Sequence, residues 1–395
     1  MARSRAGFAL LAGLFFAALA LRPQVVAIGP LLPSIRGDLG LSHAVAGLLG
    51  TIPVLCMGLF ALPAARLGRR VGSRVAVAAA VASVGALGIV RAVVPGGAAV
   101  LAMTLPVSIG MGLGNALMPA AVKERFPARP GFATGVYATG INLGAALAGA
   151  LAVPLAHAFG GWRATLLAIS GFTVLLALVW LWTMRREPPH VRPAAPPRQL
   201  PWRTQLAWHL VLTFALLSIT LYGMNSWLPA TYVERGWSET AAGELVGVLN
   251  ALSVVGGLLM ALLADRLPRR EYLVGGALLL GGAILGVELA PGGGWAWAAL
   301  FGLAMGNLFP LVMTLPLDVA DDAPSVAAFT GMMLGGGYCI AATSPFVLGA
   351  VRDATGSFAD ALWLLVAAAA AFVLVVSTLS RERLHAGGHA RTVTA

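Results

Sequence analysis

The chain has little of what enzymes and disulfide-stabilised proteins depend on. Its two cysteines, Cys56 and Cys339, lie in separate apolar stretches, so no disulfide framework is expected. The six histidines lack the spacing of metal ligands and have no suitable nucleophile nearby, which argues against a metal centre and against hydrolytic chemistry. No Gly-Lys-Ser/Thr phosphate loop occurs, so an ATP-driven pump is not expected. We therefore predict a protein that is not an enzyme and that needs no cofactor and no metal.

Charged residues are scarce as well. They make up 10% of the 395 residues, against 59% hydrophobic residues and a mean hydropathy of +0.87. This composition suits a chain whose solvent is lipid, and it predicts an all-α membrane protein. A bilayer span needs roughly 20 apolar helical residues, and twelve transmembrane helices can be marked between short polar breaks. Their predicted ranges are 6–34, 41–65, 72–94, 97–121, 131–158, 161–184, 206–232, 239–264, 271–290, 294–318, 324–351 and 359–380.

The chain is a tandem duplication. Residues 32–47, LPSIRGDLGLSHAVAG, recur without a gap as residues 228–243, LPATYVERGWSETAAG, at an offset of 196. Six spans fall in each half, which predicts two pseudo-symmetric six-helix bundles and is typical of a solute carrier. A segment rich in proline and basic residues separates the halves. The predicted domains are an N-terminal bundle at 1–186, a cytoplasmic linker at 187–204 and a C-terminal bundle at 205–395.

The net charge of +11 comes from Lys and Arg residues that alternate from loop to loop. Most lie on the side of the N-terminus, so the positive-inside rule predicts that both termini are cytoplasmic. The exceptions are Arg22, inside the first predicted helix, and five arginines assigned to the opposite loops, Arg36, Arg91, Arg163, Arg235 and Arg352. Because the charges are dispersed at helix ends, no nucleic-acid partner is expected. The predicted partners are the lipid bilayer of a bacterial inner membrane and a small-molecule substrate, and we expect a monomer.

Arg22 is the leading candidate for a functional residue. If the first helix starts near Gly7, a rise of 1.5 Å per residue places Arg22 roughly 22 Å along it, inside a hydrocarbon core about 30 Å thick. A guanidinium there is costly unless it faces a partner or a wet cavity, and no carboxylate lies within one helical turn. A bound substrate anion would supply the missing charge, and the donor fork of arginine suits a small planar anion. The alternative is that Arg22 snorkels outward or bonds to carbonyls freed by Pro23.

Amide and phenol side chains inside the spans form a second group, because they can hydrogen-bond a polar solute from the walls of a cavity. The alternative for each is an interhelical hydrogen bond worth about 0.6–2 kcal/mol. The candidates for substrate binding beside Arg22 are Gln24, Asn115, Tyr137, Asn142, Tyr222, Asn225, Asn307 and Tyr338, with Asn250 considered among the amides.

Two paired loops carry a family resemblance. Residues 61–70, ALPAARLGRR, and 261–270, ALLADRLPRR, resemble the Gly-x-x-x-Asp-Arg-x-Gly-x-Arg-Arg loop of the major facilitator superfamily. Ala65 replaces the usual acid in the first copy, and Pro268 replaces a glycine in the second. The resemblance implies the major facilitator fold, in which helices one, four, seven and ten line a central cavity. It also implies that the gating residues are Arg66, Arg70, Asp265, Arg266 and Arg270.

Further motifs make the resemblance more specific. They are LRP at 21–23, GNALMPAAVKERFP at 114–127, GGWR at 160–163, WLP at 227–229, GWS at 236–238 and GNLFP at 306–310. Through them the chain resembles the cyanate and 2-nitroimidazole transporter family. That resemblance implies a secondary active transporter that moves a small polar or anionic solute by alternating access. The alternatives are an exporter of drugs or metabolites with the same fold, and a membrane sensor or scaffold that does not transport.

Overall fold

The computed structural model describes residues 2–126, 130–185, 199–263, 269–320 and 323–379, and the regular structure within these ranges is helical throughout. The first half contains α1 (Ala2–Leu19), α2 (Pro23–Val26), α3 (Ile28–Leu39), α4 (His43–Leu59), α5 (Ala61–Val93), α6 (Gly97–Arg125), α7 (Pro130–Phe159) and α8 (Trp162–Met184). The second half contains α9 (Gln205–Glu234), α10 (Glu239–Leu263), α11 (Arg269–Leu289), a 3₁₀ turn (Pro291–Gly293), α12 (Gly294–Met313), α13 (Leu315–Val319), α14 (Ala323–Ala341), α15 (Thr343–Thr355) and α16 (Phe358–Ser377).

The helices are long and apolar enough to cross a bilayer. Over the described ranges, eleven segments meet that test, and the remaining predicted span corresponds to the shorter apolar helix α4. Large apolar side chains such as Leu178, Leu258 and Leu374 are more than half exposed, as suits surfaces that face lipid tails. The prediction of an all-α, multi-pass membrane protein is confirmed.

The duplicated segment folds twice into the same local structure. Gly40 and its twin Gly236 adopt φ angles of 61° and 87°, a conformation that a residue with a Cβ reaches only under strain. Two residues later, Ser42 and Ser238 each accept a hydrogen bond of 3.2 Å from the backbone amide three residues further on. Each serine thereby caps the helix that follows it, α4 in the first half and α10 in the second.

Breaks near prolines divide three of the spans. Pro23 has no N–H to donate and its ring crowds the carbonyl four residues back, so α1 ends at Leu19 and α2 begins at Pro23. A second bend at Ala27 separates α2 from α3. The tenth and eleventh spans are divided at Thr314 and Ala342, two and three residues before a proline. The first span, predicted at 6–34, is therefore a series of three helices, α1, α2 and α3.

Each half packs as a bundle, and the two bundles meet along equivalent helices. In the first half α5 packs against α6 and α8, and in the second half α10 packs against α12 while α11 packs against α16. The halves meet through α4 against α14 and α15, through α7 against α10, and through α3 against α9. The first two of these contacts are equivalent under the duplication. Helices α4 and α10 are the second spans of their halves, and α7 and α14–α15 are the fifth, so each contact joins the second span of one half to the fifth span of the other.

Contacts between the halves concentrate at one end of the molecule, away from the start of α1. We call it the closed end, and it is formed by residues 36–47, 149–160, 226–247 and 343–358. There, Asp353 accepts hydrogen bonds from the backbone amides of His43 and Ala44 at 3.0 and 2.7 Å. Gly149 of α7 packs so closely on α10 that a Cβ would lie 2.7 Å from the Gly247 nitrogen. Helices α6 and α12 pack mainly within their own halves.

Candidate functional site

The break in the first span places Arg22 in the interior. Arg22 lies between α1 and α2 with φ −97° and ψ −33°, and its carbonyl accepts hydrogen bonds from the Val25 and Val26 amides. Protein surrounds the side chain, yet part of its surface stays accessible. The side chain is therefore deep in the molecule and still partly accessible.

The guanidinium of Arg22 bridges the two halves. Its Nη1 donates a hydrogen bond of 3.2 Å to Tyr222 Oη, and Tyr222 belongs to α9 of the second half. Among the residues that the structure describes, this is the only hydrogen bond of the guanidinium, and Arg22 forms no salt bridge. A guanidinium carries five N–H donors, so four of them are available to water or to a ligand.

Three of the chain's five tyrosines surround Arg22. Tyr137 of α7 and Tyr338 of α14 lie close enough to interact electrostatically with the guanidinium. The rings of Tyr222 and Tyr338 are 6.3 Å apart, and Phe214 packs edge-on against Tyr338 at 4.9 Å. Since one phenol comes from the first half and two come from the second, the arginine points between the bundles and not toward the acyl chains.

Two of the predicted amides flank the break in the first span. Asn115 of α6 and Asn142 of α7 are half-buried, and neither forms a hydrogen bond within the described part of the chain. Gly114 and Gly144, on the same two helices, pack directly against residues 19–21, where an added Cβ would clash. Both amides therefore lie on helices that touch the break, and their donors and acceptors are free.

The other predicted amides are engaged elsewhere. Gln24 is fully buried inside the first half. Asn225 accepts a hydrogen bond of 2.9 Å from Asn250 Nδ2, so these two amides join α9 to α10. Asn307 accepts a hydrogen bond from Tyr272 of α11 and lines a separate cavity of about 370 Å³ between α10, α11 and α12. None of Gln24, Asn225 and Asn307 hydrogen-bonds to the central guanidinium.

Arg91 is a buried cation that the sequence analysis missed. Its assignment to a loop was wrong, because it lies inside the span predicted at 72–94, which is helical to Val93, and the residue is 1% exposed. Its Nη2 donates to Gln24 Oε1 at 2.6 Å and to the Gln24 carbonyl at 3.2 Å. The signal in the sequence was the apolar stretch ALGIVRAVV at 86–94, which continues on both sides of the arginine.

Two of the predicted gating residues, Arg66 and Arg70, lie at the end opposite the closed end. Arg66 and Arg70 of α5 are exposed there. Gly72, with φ 79° and ψ 152°, kinks α5 just beyond them and marks the passage from the second span to the third. The predicted partners Asp265 and Arg266 lie outside the described residues, as does the side chain of Arg270.

The composition of the site suits binding of a solute. A permanent cation and three phenols lie together, and the described residues contain no group of three or more His, Cys, Asp or Glu side chains that could hold a metal ion. Arg22 and Tyr137 come from the first half, and Tyr222 and Tyr338 come from the second. A solute bound to Arg22 is therefore within reach of both bundles.

Comparison with known proteins shows what the chain is similar to. The sequence profile of the Major Facilitator Superfamily matches residues 9–342. The chain is 32% identical over 352 residues to the 2-nitroimidazole transporter of Escherichia coli (strain K12), which covers 88% of this chain and 89% of that protein. It is 30% identical over 347 residues to the cyanate transport protein CynX of the same strain, which covers 86% of this chain and 88% of that protein.

A solved structure supports the fold. It is that of a bacterial homologue of the human lysosomal transporter Spinster, in an inward-facing and occupied conformation. It matches this chain with a TM-score of 0.76 at 17% sequence identity, and the match covers 95% of each chain.

Proposed function

Since the chain belongs to the Major Facilitator Superfamily and is a multi-pass secondary active solute transporter, we propose that it carries a small anion or a small polar solute with an electron-rich end. In this proposal Arg22 binds the negative or electron-rich end, and the surrounding phenols and amides fix the orientation of the solute. The other residues of the proposed site are Asn115, Tyr137, Asn142, Tyr222 and Tyr338.

The observation that carries the proposal is the bonding of Arg22. A cation in a low-dielectric interior costs several kcal/mol unless it is compensated. The described residues offer its guanidinium one phenol and no carboxylate. A bound anion would restore the balance of charge, and the guanidinium fork can make two parallel hydrogen bonds to it.

The chemistry of the two named relatives' solutes fits the same site. Cyanate is a small linear anion, and the nitro group of a 2-nitroimidazole presents two electron-rich oxygens on a planar ring. Both accept hydrogen bonds from a guanidinium, and a planar ring can pack against the tyrosine rings around Arg22. We therefore propose small anions and nitro-heterocycles as the substrate class.

The proposed transport cycle is a rocking of the two bundles, residues 1–186 and 205–395, around Arg22, with the linker at 187–204 joining them. We propose a monomer in a bacterial inner membrane with both termini in the cytoplasm. In that orientation the closed end faces the outside of the cell, and the state that we propose for this structure is inward-facing. Opening of the closed end requires the hydrogen bonds of Asp353 across the halves to break.

Uptake of radiolabelled cyanate into proteoliposomes tests the proposed function. Arg22→Ala should lower uptake by about 100-fold or more, because breaking a buried charge pair costs about 3–5 kcal/mol. Arg22→Lys keeps the charge but loses the donor fork, so it should raise KM and retain some transport. Arg203→Ala is the matched control, since Arg203 is an exposed arginine outside the helices, and it should transport normally. Unchanged uptake of cyanate, nitrate and 2-nitroimidazole by Arg22→Ala would refute the assignment.

A further inference from the structure

Arg91 is a second buried cation, and it is too deeply buried to contact a solute. Its side chain is 1% exposed in the last turn of α5, and it forms no salt bridge with any described residue. Its Nε is buried without a hydrogen-bond partner. Burial of a cation without a counter-charge is costly, so the hydrogen bonds that Arg91 does make offset part of that cost and are the contacts to examine.

Those contacts are with Gln24, two residues after Arg22. Arg91 Nη2 donates to Gln24 Oε1 at 2.6 Å and to the Gln24 carbonyl at 3.2 Å. Gln24 Nε2 in turn donates to Ser170 Oγ of α8 at 2.8 Å, and the Ser170 hydroxyl donates to the Leu166 carbonyl at 2.6 Å. These hydrogen bonds run in one direction from α5 through α2 to α8.

The carbonyl of Gln24 needs a donor from outside its own helix. Helix α2 spans only Pro23–Val26, and the last carbonyls of a helix lack intrahelical donors. Gln24 is fully buried, so bulk water does not supply the donor. The packing around it is tight, because a Cβ at Gly88 of α5 would lie 2.6 Å from Ser170 Oγ and 3.1 Å from Gln24 Nε2.

We propose that Arg91 and Gln24 are positioning residues for Arg22. Arg22 is the N-cap residue of α2, so any shift or rotation of α2 moves the base of its side chain. A helix of one turn does not hold its own geometry, and the hydrogen bonds of Arg91 and Gln24 lock α2 against α5 and α8. They thereby set the direction in which the Arg22 guanidinium points between the two bundles. This inference rests on the proposed function, because it concerns the affinity of Arg22 for an anion.

Arg163 offers a matched control in the same bundle. Its Nη1 donates to the carbonyls of Ala92 and Val94 at 3.1 and 2.8 Å, at the same end of α5. None of its hydrogen bonds reaches α2 within the described residues. Replacement of Arg163 therefore removes two hydrogen bonds to α5 and an ion pair of 3.7 Å with Asp38 at the far end of α3, and it leaves the hydrogen bonds of α2 to α5 and α8 in place.

Calorimetric binding of sodium cyanate and sodium nitrate to the full chain in nanodiscs provides the test. Arg91→Met and Gln24→Ala should weaken binding of both anions by about 10-fold, and Arg91→Lys should restore part of the loss. Arg163→Met should lower Tm and leave Kd unchanged. The deciding measurement is a double-mutant cycle, in which Arg91→Met should weaken binding less in an Arg22→Lys background than in the parent protein.

Two results would overturn the inference. One is additive effects in the cycle, and the other is an equal loss of affinity in Arg163→Met and Arg91→Met, since either result indicates a general structural role. If Arg91→Met does not fold, Arg91→Lys and Gln24→Ala carry the same comparison. Failure of the proposed function is distinguishable, because Arg22→Ala would then bind both anions as tightly as the parent protein. If Arg22→Ala loses binding while Arg91→Met keeps it, only the positioning role fails.

Discussion

Removal of the Asp353 carboxylate should loosen the closed end. Its oxygens accept hydrogen bonds from the amides of His43 and Ala44 at 3.0 and 2.7 Å, and Oδ1 also lies 2.7 Å from His43 Nδ1. Asp353 belongs to α15 of the second half, whereas His43 and Ala44 begin α4 of the first half. The carboxylate therefore caps a helix of the opposite bundle, where its negative charge also suits the helix N-terminus.

The partial exposure of Asp353 and His43 limits the free energy that their contacts contribute to the closed end. A hydrogen bond to a charged group contributes about 1.5–3 kcal/mol, and a carboxylate at a helix N-terminus adds about 0.3–1 kcal/mol. The side chains of Asp353 and His43 are 30% and 15% exposed, so solvent screening reduces these values. We expect Asp353→Ala to favour opening by about 2 kcal/mol, which is about 30-fold in the equilibrium constant.

Alkylation of a single cysteine measures that opening. Ser226→Cys, in a variant without native cysteines, places a thiol in the seam between the halves, where a Cβ at Gly50 would lie 2.7 Å from Ser226 Oγ. A membrane-impermeant maleimide added at the closed end should react about 30-fold faster when Asp353→Ala is present. Asp360→Ala is the matched control, since Asp360 is an exposed acid at the same end. Equal reaction rates in the two variants would refute the idea that Asp353 stabilises the contact between the halves at the closed end.

Two further substitutions address the seam and the site. Gly149→Val should prevent the closed end from closing, because even a Cβ there would lie 2.7 Å from the Gly247 nitrogen. The thiol of Ser226→Cys should then react with the maleimide at a high rate whether or not Asp353 is present. Gly171→Val is the control, since Gly171 has open space around it, and the thiol should react as in the parent protein. Tyr222→Phe removes the hydroxyl that joins Arg22 to the second half, so the KM for cyanate uptake should rise by about 5-fold. Tyr232→Phe removes a buried hydroxyl with no partner among the described residues and should leave KM unchanged.

The ends of several spans were predictable because local chemistry marks them. The sequence predicted spans at 161–184 and 239–264, and the helices are Trp162–Met184 and Glu239–Leu263. Ser238 is recognisable in the sequence as a helix cap because it precedes an apolar run, and its hydroxyl does accept a hydrogen bond at the start of α10. Such signals depend on a few neighbouring residues, so a single sequence contains them.

The direction of the polar side chains was not predictable in the same way, because it depends on the helix that lies opposite. Asn115 and Asn307 occupy similar places in the two halves and received the same prediction. Asn307 bonds to Tyr272 of α11, whereas Asn115 has no partner among the described residues. Tyr272 follows the loop at 261–270 by two residues, and the residue that follows the paired loop at 61–70 by two is Gly72, which offers no hydroxyl. The partner on the neighbouring helix decides which amide stays free for a solute.

The same dependence separates the two buried arginines. Both are lone cations in apolar stretches, so a search of the sequence for uncompensated intramembrane charge selects Arg22 and Arg91 alike. Arg91 is closed off at 1% exposure, and its hydrogen bonds go to Gln24 inside one rigid bundle. Arg22 gives one of its five donors to Tyr222 of the opposite bundle and stays partly accessible. A cation enclosed in one body cannot respond to a solute, whereas a cation on the seam can exchange a protein contact for a bound anion. Position on the seam, more than missing charge, is therefore the reason that we propose Arg22 as the binding residue and Arg91 as the residue that positions it.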